Sequence, residues 1–191
     1  MKILTDTGLM VLWNKIKQLV LGNRPYNPSE FSGKGYKVLE KNIQTVGGVK
    51  KNILTAIMLS EANTIYEIRY DFDLNGETIE MQEGCTLKFN GGSFINANII
   101  LQNNCKIVNG RINIAGNALI LLNNNCTIEN CTFTHVSWCK NGYGTLFAEN
   151  KENIKIYNCT FEKQKKPAKS EKCSSIDLRN CKDFIINNIT Y

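Results

Sequence analysis

Two carboxylates, one histidine and eight cysteines are the residues whose chemistry must be placed first. Glycoside hydrolysis needs two carboxylates facing one groove, roughly 5 to 9 Å apart. Glu149 and Asp177 are the candidate catalytic pair, because they sit in two strand-like runs, 146–149 and 176–179, that the repeat register below places on neighbouring turns. Both side chains then point outward, offset by two residues, with Cα atoms about 8 Å apart by strand geometry. The same register lays Glu149 directly over Arg179, and an exposed ion pair across turns accounts for that carboxylate without catalysis. His135 is the single histidine and follows Phe133 by two in a strand-like run. With no second histidine and no suitably placed nucleophile, it reads as a surface or turn residue rather than a general base. This segment is therefore not expected to be an enzyme.

The cysteines are Cys85, Cys105, Cys126, Cys131, Cys139, Cys159, Cys173 and Cys181, with no Cys-x-x-Cys pair among them. That spacing argues against zinc, and no metal or other cofactor is expected. The first three lie 20 and 21 residues apart, which indicates a repeat. Aligned on them, 78–85, 98–105 and 119–126 keep register without a gap, and Ile128-Glu-Asn-Cys-Thr-Phe133 recurs as Ile156-Tyr-Asn-Cys-Thr-Phe161 and Ile186-Asn-Asn-Ile-Thr-Tyr191, 28 and then 30 residues on.

Short apolar-alternating runs between Asn and Gly clusters, at a period near 20, are strand-and-turn chemistry. Helical repeats need more residues per unit, and the chain lacks a regular leucine-rich frame. The expected fold is all-β: a right-handed parallel β-helix of about five turns, preceded by an N-terminal α-helix and a small capping segment. Alternation points Ile79, Met81, Ile99, Leu101, Ile120, Leu122, Leu146, Ala148, Ile176 and Leu178 into the core. Leu87, Ile107, Ile128, Ile156 and Ile186 follow on the next strand. Asn109, Asn130, Asn158 and Asn188 form one column, expected inward with stacked amides satisfying one another. Cys85, Cys105 and Cys126 form a second column, and Cys131 and Cys159 a third, in which free thiols behave as small hydrophobes. The longer later steps place loops near 136–143 and 162–175.

Alternation also leaves Ile100, Leu119, Leu121 and Phe147 outward on three adjacent turns, bordered by polar Thr78, Glu80, Asp177 and Arg179. Such a patch marks an interface, unless the 136–143 loop folds over it. Tyr143, Phe147 and Tyr157 are alternatively sugar-stacking platforms. Ahead of the repeat, Thr5 or Thr7 caps an expected helix over 1–22 whose apolar positions Leu9, Leu12, Ile16 and Leu19, widened by Met10, Trp13 and Val20, form a stripe that must be buried on something. Gly22 and Pro25 end it. The segment 23–63 reads as a linker followed by a cap, with a strand-like run at 36–43 and a helical candidate at 55–59 that plugs the end of the solenoid at 64–191.

Of the 191 residues, 42% are hydrophobic and 21% charged, which is the composition of a chain that packs a core. The net charge of +6 is spread too thinly to indicate nucleic acid. The stretch 9–21 is interrupted by Asn14, Lys15, Lys17 and Gln18, so no membrane anchor is expected. No secretory cleavage pattern follows it, which predicts folding in the cytoplasm where the chain is made.

Leu-Thr-Asp-Thr-Gly-Leu-Met-Val-Leu-Trp-Asn-Lys-Ile-Lys at 4–17, Asn27-Pro-Ser-Glu-Phe-Ser-Gly-Lys-Gly-Tyr36, Tyr70-Asp-Phe-Asp-Leu-Asn-Gly76 and Cys85-Thr-Leu-Lys-Phe-Asn-Gly-Gly-Ser93 together carry a resemblance. The chain resembles the amino-terminal part of tail fibre and tailspike proteins of bacteriophages of gut Bacteroides, including crAss-like phages; its second half is generic to pectate-lyase-like β-helices. The resemblance implies a virion structural protein and a homotrimer. The 1–22 helix (Leu9, Leu12, Trp13, Ile16, Leu19) would fasten to other virion proteins, the patch Ile100, Leu119, Leu121 and Phe147 would form the trimer interface, and a distal region would meet host surface polysaccharide. The sequence stops in mid-repeat, so a longer natural protein is expected. Two alternatives stand beside this reading: a polysaccharide depolymerase, lyase or hydrolase, with its active site in the distal β-helix, and a carbohydrate-binding module.

Overall fold

A computed structural model describes residues 34–114, 116, 118–135, 144–162 and 175–191, His135 by its backbone alone. The described part opens with β1 (Gly35–Val38), a hairpin of β2 (Ile43–Val46) and β3 (Val49–Asn52), and a 3-10 turn, Ala56–Leu59. Strands then recur in threes: β4 (Thr64–Ile68), β5 (Phe72–Asp73) and β6 (Ile79–Met81); β7 (Thr86–Phe89), β8 (Phe94–Ala97) and β9 (Ile99–Leu101); β10 (Lys106–Val108), β11 (Arg111–Ile114) and β12 (Ile120–Leu122); β13 (Thr127–Glu129), β14 (Thr132–His135) and β15 (Leu146–Glu149). In the next round β16 (Lys155–Phe161) spans the first two places and β17 (Ile176–Arg179) the third, and β18 (Ile185–Thr190) starts another.

Each strand pairs in parallel with its counterpart one round later, and among the described residues only the β2–β3 hairpin is antiparallel. The fold is all-β, built on large curled parallel sheets in the manner of a β-helix or solenoid. Register steps match those read from the cysteines: Leu87 pairs with Ile107, Ile107 with Ile128, Ile128 with Ile156, and Ile156 with Ile186. Likewise Ile79, Ile99, Ile120, Leu146 and Ile176 form one row. A period-2 pattern repeated at the same phase in every round can bury its apolar side only if the rounds stack in that register. The core accordingly holds Met81, Leu101, Leu122 and Ala148 with these rows, essentially inaccessible up to Ile156, whereas Ile176 and Leu178, expected in the core, are half-buried and Ile186 is exposed on the last strand.

The Asn column departs from expectation. Asn109, Asn130, Asn158 and Asn188 have φ of 58°, 54°, 49° and 53°, so each turns the chain through the left-handed region, where Asn is the side-chain-bearing residue most at ease. That turn swings the side chain out of the core, and the last three are exposed rather than inward. The amides still form a ladder: Asn130 donates to Asn109 at 3.3 Å, Asn158 to Asn130 at 3.0 Å and Asn188 to Asn158 at 2.8 Å. A second left-handed column precedes the first cysteine column, at Asn63, Gly84, Asn104, Asn125, Asn153 and Asp183. At Gly84 a Cβ would meet Asn63 Oδ1 at 2.1 Å, so a larger residue there must turn the Asn63 side chain aside.

The segment ahead of residue 64 contributes to the sheets themselves. β1 pairs in parallel with β4, and Ile53 bridges to Asp73 on β5. Leu54 and Leu59 join the core, so the 3-10 turn closes it beside β6. The described residues from 34 onward form one unit; the expected helix over 1–22, with Leu9, Leu12, Trp13, Ile16 and Leu19, lies outside the described residues.

Candidate functional site

The outer face of the β6–β9–β12–β15–β17 sheet carries Glu80, Ile100, Leu121, Phe147 and Asp177 in one register row. Ile100, Leu119 and Leu121 are half-buried. Phe147 is not open to solvent as alternation predicts: it is 8% exposed. The Arg179 guanidinium lies 5.3 Å from its ring centroid, a cation–π contact that covers part of that ring.

Arg179 also engages one of the two candidate carboxylates. It holds Asp177 of its own strand through both nitrogens of one edge, Nη2 to Oδ2 at 2.8 Å and Nε to Oδ1 at 3.2 Å. Glu149 faces Arg179 in register, as expected, but the ion pair that forms is with Asp177. Asp177 is thus tied at both carboxylate oxygens to the guanidinium of its own strand. His135 ends β14. Tyr157 is half-buried on β16, and Tyr143 lies outside the described residues.

The cysteine columns are packing, as expected. Cys85, Cys105, Cys126, Cys131 and Cys159 are buried and unpaired. Their thiols donate to main-chain carbonyls, Cys85 to Glu61 at 3.0 Å, Cys105 to Gln82 at 3.2 Å and Cys126 to Gln102 at 3.3 Å. Burial pushes the Cys105 thiol up to about 12 and Cys126 up to about 11, and holds Cys131 well above its ordinary range. Thiols so disfavoured as thiolates are poor nucleophiles, whereas the Cys159 thiol is lowered by its hydrogen bond with Cys131. Among the described residues, no group of three or more His, Cys, Asp or Glu could hold a metal ion.

The sequence did not point to the groove of about 380 Å³ between the hairpin and the β4–β5 corner, lined by Lys41, Ile43, Asn52, Arg69, Tyr70, Asp71 and Gly91. Lys51 fixes the hairpin to β5 through Asp73 at 2.8 Å, and Asn52 donates to the Asp71 carbonyl at 2.8 Å. Burial works against the Asp73 carboxylate, but hydrogen bonds from Lys51 and Asn96 hold it below its usual range. Arg69 Nε bonds the buried Glu67 at 2.6 Å, and Lys41 lies 4.6 Å over the Tyr70 ring. These groups meet only after two chain reversals, which leaves no motif at fixed spacing. Arg69 is engaged by Glu67 and the Asp71 carboxylate by Ser93, and the groove reads as the seam where the hairpin joins the stack.

No protein-family model matches this chain, and no curated protein or solved structure matches it.

Proposed function

We propose that this chain is a virion structural protein, the N-terminal attachment region of a trimeric bacteriophage tail fibre or tailspike involved in host adhesion. In this reading 64–191 is a right-handed parallel β-helix of about five turns. Residues 1–22 fasten it to other tail or head proteins, 23–63 link and cap, and host surface polysaccharide is met through a distal region. Assembly takes place in the host cytoplasm and the working location is the virion.

The observation that carries the reading is the unbroken row Ile79, Ile99, Ile120, Leu146 and Ile176. A stack in which every round is pinned to the next by parallel ladders, buried apolar rows and an amide ladder transmits load along its length. The motifs of the first 93 residues supply the phage context. On the outer face, Ile100, Leu119 and Leu121 offer the apolar row that three-fold packing needs, while Phe147 is largely committed within its own subunit.

Sedimentation equilibrium tests the trimer. The full chain is expected at three times 21.6 kDa. Ile100→Asp with Leu121→Asp is expected to give β-rich monomers, since both positions face outward and the core rows are untouched. A wild type at the monomer mass, or a double variant that stays trimeric, contradicts the interface.

A further inference from the structure

Cys131 and Cys159 occupy one position in successive rounds. Just after them Thr132 pairs with Thr160 and Phe133 with Phe161, and the Thr160 amide donates to the Cys131 carbonyl at 2.8 Å. Each follows an Asn that turns the corner in the left-handed region, Asn130 and Asn158. The matched corners send both side chains into the core, where each cysteine is 1% exposed. One round earlier the same place is taken by Gly110, whose amide donates to Cys131 Sγ at 3.3 Å. One round later it is taken by Ile189, opposite Cys159. Between a residue without a side chain and a hydrocarbon, each thiol in this column has the other as its sulfur neighbour.

The first cysteine column has similar spacing but directs its thiols elsewhere. Cys85, Cys105 and Cys126 reach back to carbonyls of the preceding round, at 3.0 to 3.3 Å. Cys131 and Cys159 instead reach carbonyls of their own corners, Glu129 at 3.2 Å and Tyr157 at 3.1 Å, and hydrogen-bond to each other. That contact distinguishes the two sulfurs. Burial holds Cys131 well above its ordinary range, whereas the hydrogen bond from Cys131 holds Cys159 below its own.

Adjacent parallel strands place matched Cα atoms about 4.8 Å apart, inside the span of about 4.4 to 6.8 Å that a disulfide bridges. We propose that Cys131 and Cys159 form an oxidation site, a dithiol that a small peroxide converts into a disulfide between successive rounds. The structure holds its reduced form, with both thiols free. The Cys159 sulfur attacks one peroxide oxygen; the S–O bond forms, the O–O bond breaks, and the departing hydroxide takes up the Cys159 proton as water. The Cys131 sulfur then attacks the sulfenic sulfur, the S–S bond forms, and the hydroxyl leaves with the Cys131 proton as a second water. Two electrons pass from the thiols to the peroxide. Burial selects this product, because a thiol as large as glutathione has no approach to either sulfur and a mixed disulfide does not compete. The bond staples the start of β14 to β16 across 28 residues of sequence. This inference stands independently of the fibre reading.

The full chain, prepared reduced, is exposed to hydrogen peroxide at neutral pH, unfolded in iodoacetamide, digested without reductant and sequenced by tandem mass spectrometry. A link between Cys131 and Cys159, lighter by two hydrogens, is expected in most chains, with Cys85, Cys105 and Cys126 recovered alkylated. By restricting the unfolded chain the link is expected to raise Tm by roughly 5 to 10 °C, and dithiothreitol to reverse the rise. In Cys131→Ser the rise is expected to be absent and Cys159 to stop at the sulfenic acid, which dimedone labels; should that variant fail to fold, the wild-type link and its Tm still decide. No link in peroxide-treated chains that stay folded, links spread equally over Cys85, Cys105 and Cys126, or a linked chain with unchanged Tm overturns the inference.

Discussion

Asn158 donates its side-chain amide to Oδ1 of Asn130 at 3.0 Å across 28 residues of sequence, and both residues hold φ near +50°, at 49° and 54°. One residue type thus serves two ends. Its tolerance of the left-handed region turns the corner, and its amide ties that corner to the ones before and after.

The two roles separate by substitution. Asn158→Gly keeps the turn and loses the amide bonds, while Asn158→Ala loses both. The Ala variant is expected to cost about 1 to 2 kcal/mol more than the Gly variant, the penalty of a Cβ in the left-handed region. Urea unfolding at pH 7 measures it, and equal midpoints for the two would show that the backbone turn contributes nothing.

The thiols give an alkaline limb to stability. Burial raises Cys105 to about 12 and Cys126 to about 11 in the folded chain, against about 8.5 when unfolded. The folded state therefore binds more protons at high pH, so the contribution is complete below about pH 8.5 and is lost as pH rises toward 11 to 12. The double variant Cys105→Ala with Cys126→Ala is expected to show a shallower fall above pH 9 than wild type; an identical slope would contradict the assignment. Because the six described cysteines are unpaired, reductant at neutral pH should leave Tm unchanged.

Position along the stack sets the cost of truncation. Ile156→Ala removes a fully buried side chain and is expected to cost about 2 to 4 kcal/mol. Ile186→Ala, one step on in the same row, is expected to cost less than about 1 kcal/mol. Comparable costs in denaturant unfolding would mean that Ile186 is buried in solution.

At the β7–β8 corner the backbone leaves no room for a side chain. A Cβ on Gly92 would stand 2.3 Å from the Tyr70 carbonyl oxygen and 2.6 Å from its nitrogen. Gly92→Ala must displace main chain and is expected to cost about 2 to 3 kcal/mol, visible as a lowered Tm. An unchanged Tm would show that this corner is loosely held.

The sequence made the repeat legible because cysteine and isoleucine recur at fixed phase, as at Cys85, Cys105 and Cys126 or Ile79, Ile99 and Ile120. Period-2 alternation then settled which residues face inward. It failed at Asn109, Asn130, Asn158 and Asn188, because alternation assumes extended backbone and a left-handed residue breaks the phase. The part played by β1 was hidden by a 29-residue step, Tyr36 to Ile65, that encloses the hairpin. Glu149, Asp177 and Arg179 were placed correctly in register, but which carboxylate Arg179 takes depends on rotamers. Phe147 had the right register and the wrong exposure, since strand phase carries no information about what covers an outward ring.

The proposed virion assignment is tested most directly by gold-labelled antibody against the full chain, imaged on phage particles purified from the source of its gene. Label at one fixed position on every particle is the predicted result. Unlabelled particles, with the protein recovered only from the soluble lysate, would contradict it.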